Sequence, residues 1–202
     1  MDMKISGAGA IGAGEYDNVR ISGSAKGEGL IRCKSFHASG SFSGGEIECS
    51  EDFHVSGAIK TEGNMKGKEI KLSGAIKTGG DVEAEEIKIS GEVNCGGLIN
   101  AERLYVNLDS TASSTAENIG GSKITIEKGK SGGFFCRLLK KSGKFNVSES
   151  IEGDEINIEY TSAKTVTGRN VKIGEKCEIG LVQYSESIEI SPKAKIGKCE
   201  KI

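Results

Sequence analysis

Apolar and polar residues alternate along this chain in short runs, and the runs themselves return on a stride of seventeen residues. Ile21, Ala38, Val55, Leu72, Ile89 and Val106 stand one stride apart, and each of the first five is followed by Ser-Gly. The hexapeptide SGAIKT is spelled at 56–61 and again at 73–78, in phase with that stride, and a shortened copy opens at Ile5-Ser6-Gly7. Two residues ahead of the first column lie Val19, Phe36, Phe53, Ile70, Ile87 and Leu104; four residues behind it lie Ala25, Phe42, Ile59, Ile76 and Val93. A further column holds Ile31, Met65, Val82 and Ile99, with Ile47 joining if its repeat slips by one residue. Small residues fill another: Cys33, Gly67, Ala84 and Ala101, with Cys49 under the same slip. Alternation within each repeat is the period of a β-strand.

A unit of seventeen residues cannot bury an apolar face alone, but it can when stacked on copies of itself. Three short strands and three turns per coil, repeated as parallel rungs ~4.8 Å apart, put each column directly above itself. The predicted fold is therefore all-β, a parallel β-helix. Right-handed crossovers are the default for parallel strands. The glycine of each Ser-Gly pair is expected at a turn with positive φ, with the serine bonding turn backbone. Lys34, Glu51, Lys68 and Glu85 alternate in sign on the same stride, so a slipped register sets like charges together.

The stride fails after Leu108. Residues 1–108 read as regular rungs, 109–145 as an irregular linker with one strand over 123–127, and 146–202 as a second β-helical portion. In that last portion Ile156/Ile158 return as Val171/Ile173 and Ile188/Ile190, at intervals of fifteen and seventeen. The linker contains KSGGFFCRLLKKSGK. As a helix it places Phe134, Phe135, Leu138 and Leu139 on one side and Arg137, Lys140, Lys141 and Lys144 on the other. Residues 109–145 carry a net +4, while the flanking portions carry −4 and −2. Such a basic amphipathic segment suits an anionic membrane surface, a protein partner or a cap over the coil.

Composition narrows the function. A net charge of −2 over 202 residues, with pI near 5.9, argues against nucleic acid as a partner. Six scattered cysteines without a C-x-x-C pair are expected as reduced thiols in a cytoplasm. The opening MDMKISGAGA has no apolar run and is not expected to act as a secretory signal. His37 and His54 occupy equivalent positions on neighbouring repeats, a surface ladder rather than a metal site. VKIGEKCEIG imitates the hexapeptide repeat of β-helical acyltransferases for barely two units. Glu83, Glu85 and Glu86 offer the acids of a carbohydrate-cleaving enzyme, but a solvated face accounts for them. No phosphate loop, dinucleotide fingerprint or calcium array occurs. No catalytic residue, cofactor or metal site is expected.

A β-helix ends in two bare sheet edges, which template further pairing. Ile5 at one end and Ile188, Ile190 and Ile196 at the other are the candidate polymer contacts. The I-x-I-S-G rungs at 70–74 and 87–91 resemble those of bactofilins, the polymer-forming bacterial cytoskeletal proteins. The stretch IEGDEINIEYTSAKTVTGRNVKIGEKCEIGLVQYS at 151–185 is similar to the carboxyl half of the longer variety in Firmicutes. The resemblance implies a right-handed β-helix assembling into nonpolar filaments without nucleotide. Such filaments scaffold cell shape, motility or polar organisation, often at the membrane. Typical members carry one β-helix between short tails, some with an apolar amino-terminal anchor; here the coil is interrupted and the only candidate anchor is 134–141. The expected role is a non-enzymatic, self-assembling cytoplasmic scaffold, with further recruited proteins as partners. A β-helical carbohydrate enzyme and a discrete β-helical adaptor are the competing readings.

Overall fold

The computed structural model describes residues 1–108, 113–129 and 143–202. Those residues form a single 22-stranded sheet, every pairing parallel, wound into a β-solenoid of about eleven turns. Among them there is no helix. Each turn visits three faces. On the first face Met3, Val19, Phe36, Phe53, Ile70, Ile87 and Leu104 stack in register. The column continues through Ile124, Ile156, Val171 and Ile188. The second face carries Ala25, Phe42, Ile59, Ile76 and Val93. The third carries Ile31, Ile47, Met65, Val82, Ile99, Ile119 and Ile151. The expected one-residue slip at Ile47 is present, Ile31 and Met65 both being its neighbours.

These columns are the core. Phe36 and Phe53 stack with ring centroids 5.2 Å apart, and Phe42 meets Phe36 edge-on at 5.4 Å. Aromatic pairs of this kind add ~0.5–1.5 kcal/mol beyond the area they bury.

The Ser-Gly glycines differ from expectation. Among the described residues the positive-φ glycines are Gly14, Gly29 and Gly121, none of them in the Ser-Gly column. What requires glycine at 23, 40, 57, 74 and 91 is close approach of stacked backbones. A Cβ at any of these positions would overlap the carbonyl oxygen of the glycine one turn earlier, Gly57 O in the case of Gly74. Only at Gly7, on the first turn, is that space open.

The stretch expected to be irregular also differs. Ser114–Ala116 and Asn118–Glu127 lie within it as strands, paired to the turns before and after. Here the interval lengthens from seventeen to twenty (Leu104 to Ile124) and then to thirty-two (Ile124 to Ile156). Turns grew while strands kept their length, so a fixed stride loses phase although the coil does not break. Among the described residues the strand ending at Glu127 and the strand beginning at Phe145 are consecutive, and the portions before and after stack continuously.

Ion pairs join successive turns along the outside. Examples are Arg32–Glu48 (2.8 Å), Lys66–Glu83 (3.1 Å), Arg169–Glu186 (2.6 Å) and Lys172–Glu189 (2.9 Å). Each is exposed and adds little to stability; their value lies in fixing register. The alternating column extends one turn earlier than expected, to Asp17, which accepts from Lys34 Nζ at 2.6 Å.

Candidate functional site

The two ends of the solenoid are where its repeating order stops. On the first turn, Met3–Ile5 and Ala8–Ile11 each pair on one side only among the described residues. On the last, Lys195–Lys201 and the Ile188–Ile190 stretch pair only with the turn before. Among the described residues no strand covers the outer side of either end, and such an edge is a template for further pairing. Ile5 is buried beneath Ile21, and Ile188 and Ile196 are half-buried, whereas Ile190 is 39% exposed. Ile188, Ile190 and Ile196 thus come together on the last turn, and Ile5 sits at the opposite end, ten rung spacings or about 48 Å away. Of the large apolar side chains exposed among the described residues, Met1, Ile190 and Ile202 are on terminal turns. The remaining one, Tyr105, lies mid-coil with its hydroxyl donating to Glu127 Oε1 at 2.6 Å.

Polar contacts fasten the first turn. The Met1 amino group donates to Asp17 Oδ2 at 2.6 Å, and Asn18 Nδ2 donates to Asp2 Oδ1 at 2.8 Å. Lys34 foremost, and then the Met1 ammonium, hold the Asp17 carboxyl down from 3.8 to about 2. A carboxyl lowered on folding stabilises above its unfolded value, and that contribution fades as pH falls through the folded one. Between about pH 4 and pH 2, amide exchange over residues 3–11 is therefore expected to accelerate before that of the interior turns. Simultaneous loss of protection throughout would contradict this.

The second feature is a lateral groove of about 1020 Å³ where the third face turns into the first. Its floor is the column of small residues Cys33, Cys49, Gly67, Ala84, Ala101 and Gly121. Arg32, Glu48, Lys66 and Glu83 stand along one wall; Lys34, Ser50, Lys68 and Glu85 stand along the other. Sequence reading found the small column but not the groove, because only the bend of the coil makes that corner concave. Tyr16 extends the column at one end and Tyr184 at the other, each in register with its neighbour on the floor or beyond it.

The acids named from sequence separate. Glu83 and Glu85 line the groove, whereas Glu86 bonds Lys88 at 2.8 Å and Arg103 at 3.5 Å. Lys88 holds the Glu86 carboxyl below the usual carboxylate range, which makes it a poor proton donor. His37 and His54 are exposed neighbours in register with ring centroids 6.0 Å apart. Among the described residues no group of three or more His, Cys, Asp or Glu side chains is placed to hold a metal ion. Phe134, Phe135, Arg137, Leu138, Leu139, Lys140 and Lys141 lie outside the described residues. Among those described, no helix is long and apolar enough to cross a membrane.

Comparison with known proteins finds two similar chains in Bacillus subtilis. The uncharacterized protein YhbF is 37% identical over 89 residues, 44% of this chain and 35% of its own length. The uncharacterized protein YhbE is 33% identical over 93 residues, 46% of this chain and 38% of its own. The matched region thus spans little more than a third of either relative. No family model matches the chain, and no solved structure matches it.

Proposed function

We propose that this chain is a non-enzymatic, bactofilin-like scaffold that assembles end to end through its terminal turns, without nucleotide, in the bacterial cytoplasm. The observation that carries this reading is the concentration of exposed apolar side chains on the terminal turns, at Met1, Ile190 and Ile202, beside strand edges with a free side. The two apolar columns of the first face run unbroken from Met3 and Ile5 to Ile188 and Ile190, so on that face a further copy would meet the kind of surface that each turn offers the next. Support of cell shape, motility or polar organisation, and attachment to the inner face of the membrane through residues 134–141, belong to the same reading.

Negative-stain microscopy at physiological salt tests it. The wild-type chain is expected to form filaments with an axial repeat near 53 Å, eleven rungs at ~4.8 Å. Ile188→Lys combined with Ile190→Lys is expected to leave the β-sheet circular dichroism unchanged and the particles discrete. Monodisperse wild-type particles at every concentration would return the chain to the adaptor reading. The enzyme reading retains one observation, the pair Glu83 and Glu85 on the groove; carbohydrate turnover abolished by Glu85→Gln would establish it instead.

A further inference from the structure

We propose that Cys33 and Cys49 form a peroxide-responsive cross-link, in which two thiols stacked on the groove floor are oxidised to a disulfide tying the second turn of the coil to the third. This stands independently of the scaffold reading.

The geometry is specific to this pair. Cys33 and Cys49 are directly opposed across neighbouring parallel strands, and their sulfurs lie 3.0 Å apart. Opposed residues on adjacent strands are ~4.8 Å apart at Cα, inside the 4.4–6.8 Å that a disulfide accepts. Closing the bond to about 2.05 Å therefore needs a side-chain movement of about 1 Å and no displacement of the rungs. Elsewhere the same column is filled by Gly67, Ala84, Ala101 and Gly121, so space alone does not call for two thiols here. Among the described residues the other buried cysteines are solitary. Cys95 Sγ donates to Gly80 O at 3.3 Å, and Cys177 Sγ to Ile158 O at 3.4 Å.

The surroundings assign the order of events. Cys33 is flanked along its strand by Arg32 and Lys34, which pair with Glu48 and Asp17, and Cys49 is flanked by Glu48 and Ser50. The hydrogen bond between the two thiols lowers Cys33 against the opposing effect of burial, and the same bond together with burial raises Cys49. Burial also raises Cys95, and it pushes Cys177 up to about 11, which leaves both less reactive. Each sulfur of the pair meets the groove through only a 6% exposed side chain, an opening suited to hydrogen peroxide rather than to a bulky disulfide.

The steps balance. The Cys33 thiolate attacks one peroxide oxygen, the O–O bond breaks, and water leaves once the departing hydroxide takes a proton, giving the Cys33 sulfenic acid. Cys49 sulfur then attacks Cys33 sulfur, the S–O bond breaks, and the Cys49 proton leaves with that hydroxyl as a second water. Two thiols lose two electrons, and the peroxide bond gains them.

The test treats the full chain with a small excess of hydrogen peroxide, blocks remaining thiols, digests without reductant and maps the peptides by mass spectrometry. A peptide joined through Cys33 and Cys49, released by dithiothreitol, is expected. In Cys49→Ser, dimedone should label Cys33, while in Cys33→Ser it should leave Cys49 unlabelled. Oxidation should also slow amide exchange over residues 31–49 by about tenfold, reversibly. If either variant fails to fold, mapping of the wild-type chain decides alone. Oxidation confined to Cys136 or Cys199, with Cys33 and Cys49 still open to alkylation in the unfolded digest, would overturn the proposal.

Discussion

Gly74→Ala is expected to destabilise the coil by about 3 kcal/mol or more, while Gly7→Ala changes stability by less than about 0.5 kcal/mol. The two substitutions are chemically identical and fall in the same column of the repeat. They differ in what lies against them. The new methyl at 74 would overlap the carbonyl oxygen of Gly57, with further Gly57 backbone atoms close by, whereas nothing lies within 4 Å of the corresponding point at Gly7. Side chains relieve overlap by changing rotamer; stacked backbones relieve it only by moving two turns apart. That movement would lengthen the hydrogen bond from Ala75 N to Gly57 O, now 3.1 Å, and disturb its neighbour from Ser73 N to Val55 O, now 2.8 Å. Against a total stability of ~5–15 kcal/mol, the loss at 74 is large. Denaturant melts followed by circular dichroism measure both variants. Equal midpoints would mean that turn stacking is looser than these contacts require.

Val55→Asp is expected to abolish folding or come close to it. Val55 is fully buried, with Ala38 on one side and Leu72 on the other in its column. Removing the apolar side chain forfeits ~1.5–3 kcal/mol of burial. Placing a carboxyl in the same space adds a further penalty of several kcal/mol, whether it is met by desolvating a charge or by holding the group neutral without partners. The sum matches the whole stability of an ordinary domain. A control lies one residue earlier: His54 points outward, so His54→Asn should melt within about 0.5 kcal/mol of wild type. A Val55→Asp chain that melts like wild type would remove Val55 from the core and break the period-two assignment of the whole face.

Wherever strands set the rhythm, the sequence disclosed the coil. The columns through Val19, Ala25 and Ile31 appear in the register as predicted, including the slip at Ile47. Turns were less readable. The buried-exposed-buried pattern at Ser114, Thr115 and Ala116 is a strand signal, but a longer corner had already shifted it off the stride. The Ser-Gly glycines were visible, yet their cause was not. A tight corner and a close neighbour ask for the same residue, and only stacked coordinates tell them apart. Ile188, Ile190 and Ile196 could be placed on the last described turn because periodicity assigns them to columns. The groove and its thiol pair could not be, since the sequence shows that Cys33 and Cys49 share a column but not that their corner is concave or that their sulfurs meet.

The interval of sequence between Glu127 and Phe145 bears on how such a coil tolerates added chain. Neighbouring turns pair in register on either side of it, Ile126 with Ile158 and Thr125 with Asn157, so this pairing does not depend on a seventeen-residue interval. Closing a loop twice as long costs only about 0.6 kcal/mol more. A fluorescent reporter or binding domain spliced between Glu127 and Phe145 is therefore expected to leave the pairing of Ile126 with Ile158 in place.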